Sequence, residues 1–274
     1  MSGKYDNREL GTFTHFEHVN YRVPDHYLAT IFFMEGLGFT RDPTRMVGVR
    51  NMWVNAGQQQ FHLPIGEAAP FAGEVGVTVP NLRDALRDLK AAGRKLKGTR
   101  FAVDRDEGTL RVVSPWGHVL RAHEAGELSG RLAQAIPYVR FSVPAGSAAK
   151  IARFYRETLG VPASLSGRGR KRTATVTVGV NQSFHFEDTR DLDLPVHPNH
   201  VAVYITGYRS TYDRLKKQKL LMTPDRDEQF RFAKIADPDS GEVVFEFEHE
   251  VRSLHHPDYL KPLINRVGVP YLVD

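Results

Sequence analysis

The sequence contains no cysteine. Disulfides, thiolate nucleophiles and sulfur-ligated metals are thereby excluded, and any metal must be held by imidazole and carboxylate. Long apolar runs are also lacking, since no stretch approaches the roughly 18 residues that a membrane helix requires. The start of the chain is polar, with Lys4, Asp6, Arg8 and Glu9, and has no apolar centre of the kind a secretory signal carries. A cytoplasmic protein is the resulting expectation. A dominant charge of one sign is missing too: 37 Lys and Arg stand against 32 Asp and Glu. The single dense basic run, Arg168, Arg170, Lys171 and Arg172, alternates with Gly167 and Gly169 and reads as a solvated hairpin. Nucleic acid is disfavoured as a partner, because a binder gathers its excess charge on one face.

What the chain does have is an internal repeat. His18-Val-Asn-Tyr-Arg-Val-Pro24 reads as a strand stopped by proline. Asp25 follows as a helix N-cap, Tyr27 to Met34 supply the helix, and Gly36 and Gly38 close it. Extended runs come next at Arg45 to Val49, Asn51 to Ala56 and Gln58 to Leu63. The same order returns at Glu74 to Pro80, with Asn81 as cap and Leu82, Ala85, Leu86 and Leu89 at helical spacing. Its strands are Arg100 to Val103, Thr109 to Val113 and His118 to His123. A third copy opens at Tyr138 to Pro144, with a helix holding Ile151, Phe154, Tyr155 and Leu159, then strands at Thr173 to Val180 and Ser183 to Glu187. The fourth opens at His200 to Ile205, passes through a helix over Tyr208 to Gln218, and ends in Val243 to Glu248. A βαβββ unit of about 55 residues is too small to cover both faces of its sheet, so the units must pair.

Phe33-Met-Glu-Gly-Leu-Gly38 and Tyr155-Arg-Glu-Thr-Leu-Gly160 match one another, as do Gln60-Phe-His-Leu63 and Ser183-Phe-His-Phe186. With Asp237-Pro-Asp-Ser-Gly241 before the last strand, these segments resemble the vicinal oxygen chelate superfamily, which includes glyoxalase I, bleomycin resistance proteins and extradiol dioxygenases. The resemblance implies an α+β fold: four βαβββ units paired into two eight-stranded, cup-shaped halves. Pairing consecutive units would give halves at residues 1–129 and 130–274, the second ending in an irregular tail with Pro257, Pro262 and Pro270. That tail is expected to drape over the second half or a partner chain, or to act as a lid, and self-association into a homodimer is an option.

In that superfamily the first and last strands of each unit carry the metal ligands. Carried onto this sequence, the C-terminal half offers His200, Glu246 and Tyr138 as metal ligands, with Glu248 as the alternative to Glu246. His185 is then the catalytic residue, a neutral imidazole acting as general base. The N-terminal half offers an alternative metal site of His18, His62 and Glu74, with Arg121 or His123 in the fourth slot. Arg140, Arg231 and Arg121 are the candidate substrate-pocket residues, and Trp53 a core or cup-wall aromatic. The ligand set suits Fe(II), Mn or Zn. The implied function is a divalent-metal enzyme acting on a small, oxygenated, metal-chelating substrate, dioxygenase-like in the first instance. A glyoxalase-type lyase or isomerase is one alternative. A metal-free small-molecule binding protein of the bleomycin-resistance kind is the other.

Overall fold

The computed structural model describes residues 12–45, 50–126, 128–169, 171–190 and 199–265. The expected strand at Arg45 to Val49 falls mostly outside the described residues, as do Arg170 and the end of the tail. Four units follow one another along the chain. The first comprises β1 (Phe13–Asn20), α1 (His26–Thr30, continued by a π-helical turn at Ile31–Gly36), β2 (Thr40–Arg41), β3 (Asn51–Ala56) and β4 (Gln59–Pro64). The second comprises β5 (Gly73–Val79), α2 (Leu82–Gly93), β6 (Ala102–Asp106), β7 (Thr109–Val113) and β8 (Val119–Glu124). The third has β9 (Ala135–Pro144), α3 (Ser147–Arg153, continued by a π-helical turn at Phe154–Leu159), β10 (Ala163–Arg168), β11 (Lys171–Gly179) and β12 (Gln182–Thr189). The fourth has β13 (His200–Ile205), α4 (Tyr208–Lys217), β14 (Leu221–Arg226), β15 (Gln229–Ala236) and β16 (Val243–Ser253).

The caps anticipated from sequence are in place. Asp25 accepts from the Tyr27 and Leu28 amides at 2.7 and 3.2 Å, and Asn81 from those of Arg83 and Asp84 at 2.9 and 3.1 Å. Each satisfies amides that the first helical turn leaves without partners. Gly38 and Gly160 follow the two π-helical turns at φ 72° and 75°, a left-handed backbone that a side chain would strain.

The strands form two eight-stranded sheets. The first runs β14-β15-β16-β13-β1-β4-β3-β2, and the second β10-β11-β12-β9-β5-β8-β7-β6. The first unit of the chain therefore shares a sheet with the fourth, and the second with the third, instead of consecutive units sharing one. β1 shows how. Its opening residues bond to β13: the Thr206 amide donates to the Thr12 carbonyl at 2.7 Å, and the Thr14 hydroxyl to the Tyr204 carbonyl at 3.3 Å. Its later residues pair in parallel with β4, His18 opposite Gln60 and Asn20 opposite His62.

The chain forms two compact units, Tyr138–Lys261 with the stretch up to Glu17, and His18–Pro137 with the stretch from Pro262. Each compact unit thus takes in a short stretch from one end of the chain. Within Tyr138–Lys261 the core is aromatic. Phe141 packs on Phe186, Phe245 and Phe247 with ring centroids 5.0, 5.8 and 4.6 Å apart. Within His18–Pro137, Tyr21, Phe33 and Phe39 gather on Phe61. Burying each such ring contributes roughly 1.5–3 kcal/mol. Arg168, Lys171 and Arg172 stand at the β10–β11 hairpin, Arg168 opposite Lys171, on largely exposed positions. Among the described residues no helix is long and apolar enough to cross a membrane.

Candidate metal centre and the second sheet face

Strand alternation determines which side chains share a face. On β16 the buried Phe247, His249 and Val251 point into the core, which turns Glu248, Glu250 and Arg252 to the other side. On β13, Val201, Val203 and Ile205 likewise leave His200 and Tyr204 on the outer side. His200 pairs in register with Glu248. Its Nδ1 lies 3.8 Å from a Glu248 oxygen and its Nε2 3.5 Å from a Glu250 oxygen.

Two arginines bind these carboxylates. Arg231 on β15 donates to Glu248 at 2.5 Å and also to Glu250. Arg252 reaches Glu250 and Glu17, each at 2.5 Å. Tyr204 donates its hydroxyl to Glu17 at 2.9 Å, and Arg252 donates to Gln229 at 3.1 Å. Burial works against the Arg252 charge, but the fields of Glu17 and Glu250 outweigh it and hold the guanidinium firmly protonated. Burial next to Glu17 pushes the Tyr204 phenol up, so it stays a neutral donor.

In the other compact unit, His18 and His62 approach edge to face with ring centroids 5.7 Å apart. Trp53 on β3 stacks flat on His62, 4.0 Å between centroids and 7° between planes, and meets His18 edge-on at 4.9 Å. Arg45 lies over the Trp53 ring at 5.0 Å. His62 is bonded at both nitrogens, Nδ1 to the Asn20 amide nitrogen at 3.0 Å and Nε2 to the Asn51 oxygen at 3.1 Å. Along the first sheet, one imidazole nitrogen from each of His18, His62 and His200 lies within 4.8 Å of the others. That triad can hold a divalent cation. Three imidazoles, with a carboxylate beside one of them, form a donor set suited to first-row metals.

The other residues anticipated from sequence lie elsewhere. Glu246 is exposed, one pleat before Glu248 and opposite Lys234. β15 and β16 shift register between Phe232 and Lys234, just beyond that pair. Tyr138 on β9 and His185 on β12 belong to the second sheet, ring centroids 5.5 Å apart and edge-on. His185 Nδ1 faces the Thr175 hydroxyl at 3.2 Å and Nε2 the Ser183 hydroxyl at 2.9 Å. Burial, aided by the Arg140 charge, lowers its pKa to about 4. Arg140 lies 3.4 Å from Glu187 and over the Tyr138 ring at 5.4 Å.

Also on the second sheet, Arg121 clamps both oxygens of Glu74 at 3.0 Å and donates to Asp106 at 2.7 Å and Thr109 at 3.1 Å. Glu74 is thus tied to a guanidinium and does not join His18 and His62. His123, two residues beyond Arg121 and on the same side of β8, is half-buried. Sequence reasoning missed Glu250, Arg252 and Glu17 altogether. The alternation Glu246, Glu248, Glu250, Arg252 was the available signal, hidden because β16 runs five residues beyond the expected end at Glu248.

No family model matches the sequence, and no curated protein sequence matches it. Solved structures do. Glyoxalase I from Zea mays aligns with a TM-score of 0.64 at 12% identity, over 91% of this chain and 95% of that one. A candidate dioxygenase from Bacillus subtilis gives 0.54 at 14% identity, over 93% and 92%. The cppA protein from Streptococcus pneumoniae gives 0.50 at 9% identity, over 88% and 98%. With four βαβββ units and two eight-stranded sheets, this chain shares its fold with these glyoxalase I and dioxygenase structures.

Proposed function

We propose that this protein is a divalent-metal-dependent enzyme acting on a small molecule that binds the metal through neighbouring oxygen atoms. The observation that carries this reading is the convergence of His18, His62 and His200 on one sheet, with Glu248 in register with His200. Fe(II), Mn and Zn all suit such a set. When bound, the metal would polarise a substrate carbonyl and acidify the neighbouring C–H or O–H bond.

The chain's own groups supply the proton transfer. Glu248 and Glu250 flank His200, and Arg231 donates to both carboxylates, which holds their oxygens in place beside the imidazole. A carboxylate held there can take a proton from a strongly polarised substrate. This favours redox-neutral, isomerase- or lyase-type chemistry over oxygen insertion. The dioxygenase-like reading, the first one drawn from the sequence, took His185 as its general base, and His185 stands on β12 of the other sheet, bonded to Thr175 and Ser183. Arg231, Arg121 and Arg140, the candidate substrate-pocket residues, each lie against a carboxylate of the chain, so the substrate need carry no net negative charge.

The test is to load the purified protein with Fe(II), Mn or Zn and screen α-hydroxycarbonyl and hemithioacetal compounds for exchange of the α-hydrogen with deuterium. Oxygen uptake with catechols is measured in parallel. Metal-dependent exchange without oxygen uptake supports the reading. Metal-dependent oxygen uptake would replace it with the dioxygenase one, and ligand binding indifferent to chelators would replace both with a metal-free binding protein.

A further inference from the structure

We infer that two asparagines, Asn51 and Asn20, set which nitrogen of His62 is offered to the metal and guard that nitrogen until a cation arrives. The inference rests on the metal-centre reading above and concerns residues that lie side by side on β1, β4 and β3.

A neutral imidazole has one N–H and one lone pair, and only the lone pair can bind a metal. Trp53, stacked at 4.0 Å and 7°, holds the plane of the His62 ring. Within that plane the two neighbours differ in chemistry. The Asn51 oxygen can only accept, so it takes the Nε2 hydrogen at 3.1 Å. The Asn20 amide nitrogen can only donate, so it caps the Nδ1 lone pair at 3.0 Å. The two contacts agree on one tautomer, with the proton on Nε2.

Direction then selects the ligand atom. In the sheet order β4 lies between β1 and β3. Nδ1 faces Asn20 on β1, the strand that carries His18 two residues earlier, and Nε2 faces away toward β3. The atom on the triad's side is therefore Nδ1, the one the Asn51 contact leaves with a lone pair. A metal-ligating imidazole is ordinarily oriented by a hydrogen bond from its other nitrogen, and Asn51 supplies that bond. Asn20 is a placeholder, buried with 3% of its surface exposed, whose amide must swing away for the lone pair to be used. The two asparagines thus act with opposite signs: Asn51 promotes metal binding and Asn20 competes with it.

The tautomer is read first, on the metal-free wild-type protein, from the nitrogen-15 shifts of His62 assigned with a His62→Gln control. Protonated Nε2 and bare Nδ1 are expected, and the reverse tautomer overturns the inference. Zinc affinity is then measured by chelator competition. Asn51→Leu, which cannot accept, is expected to weaken binding roughly 10- to 100-fold. Asn20→Ala is expected to tighten it by about fivefold, the value of one released hydrogen bond. Should Asn51→Leu lose its fold, Asn51→Ser, with a shorter acceptor, is expected to weaken binding by less. Changes of the same sign in the Asn20 and Asn51 variants would overturn the opposed roles. If the wild type binds zinc with unchanged affinity in both variants, only this inference falls. If the wild type binds no cation, the metal-centre reading falls and takes this one with it.

Discussion

The two sheets offer the same four strand positions and fill them with opposite chemistry. On the first sheet β1, β4, β13 and β16 carry His18, His62, His200 and Glu248. On the second, β5, β8, β9 and β12 carry Glu74, Arg121, Tyr138 and His185. Where one face gathers imidazole nitrogens, the other carries a guanidinium chelated by Glu74 and Asp106. A guanidinium there repels a cation and occupies the carboxylates of Glu74 and Asp106. The two sheets place these strands in equivalent order, and a few side chains separate a candidate metal centre from an internal ion pair.

The largest expected effect would break this contrast outright. His200→Ala or His62→Ala should reduce metal affinity at least about a hundredfold, because each removes one of three imidazole donors. His185→Ala and Tyr138→Phe should leave it unchanged in the same titration. Loss of metal in the second pair would return the centre to the second sheet.

Histidines behind and beside these faces sharpen the comparison through pH. His249 is fully buried in the core behind Glu248 and Glu250, stacked on Phe232 at 4.5 Å. It donates from Nδ1 to the Phe247 carbonyl at 2.8 Å and accepts at Nε2 from the Tyr155 hydroxyl at 2.7 Å. Burial lowers its pKa from 6.5 to about 4. Between those values the unfolded chain binds the proton and the folded chain does not, so stability rises with pH. The contribution is complete above pH 6.5 and falls by about 3 kcal/mol as pH drops to 4. Denaturant midpoints from pH 4 to 7 should show this slope. The double variant Tyr155→Phe, His249→Phe, which leaves neither polar group unpaired, should flatten it, with the depressed pKa of His185 retaining part of the remainder.

A smaller effect is expected at the second face. Arg121→Met strands Glu74 with most of its side chain out of water and should cost about 2 kcal/mol, below the range for fully buried pairs because Arg121 is partly solvated. Pairing it with Glu74→Gln should restore most of that stability by calorimetry, while metal content stays as in the wild type. The smallest effect distinguishes neighbouring glutamates. Glu248→Gln should weaken metal binding about tenfold, and Glu246→Gln, exposed and one pleat away, should leave it within error.

Much of this contrast was legible in the sequence. The caps at Asp25 and Asn81, the Leu-Gly closures and the openings of the four units are local signals, and His18, His62, His200, Glu74 and Arg121 all stood on recognisable strands. Their grouping was not legible, because β1 meets β13 across most of the chain and no local pattern encodes that neighbour. The short edge strands β10 and β14 went unread because nearly every residue in them is exposed, so no burial alternation marks them. That Glu248, and not Glu246, stands opposite His200 was not legible, because the parallel register of β13 and β16 joins residues far apart in the sequence. The partners of His62, Asn20 and Asn51, carry no sequence signal beyond being polar on alternating strands.

The central claim is tested most directly by metal content, measured by mass spectrometry on protein purified anaerobically without chelator, for the wild type, His200→Ala and His185→Ala. One equivalent of iron, manganese or zinc per chain, lost in His200→Ala and kept in His185→Ala, is the predicted result. Two equivalents, loss in His185→Ala, or no uptake even after supplementation with each ion would contradict it.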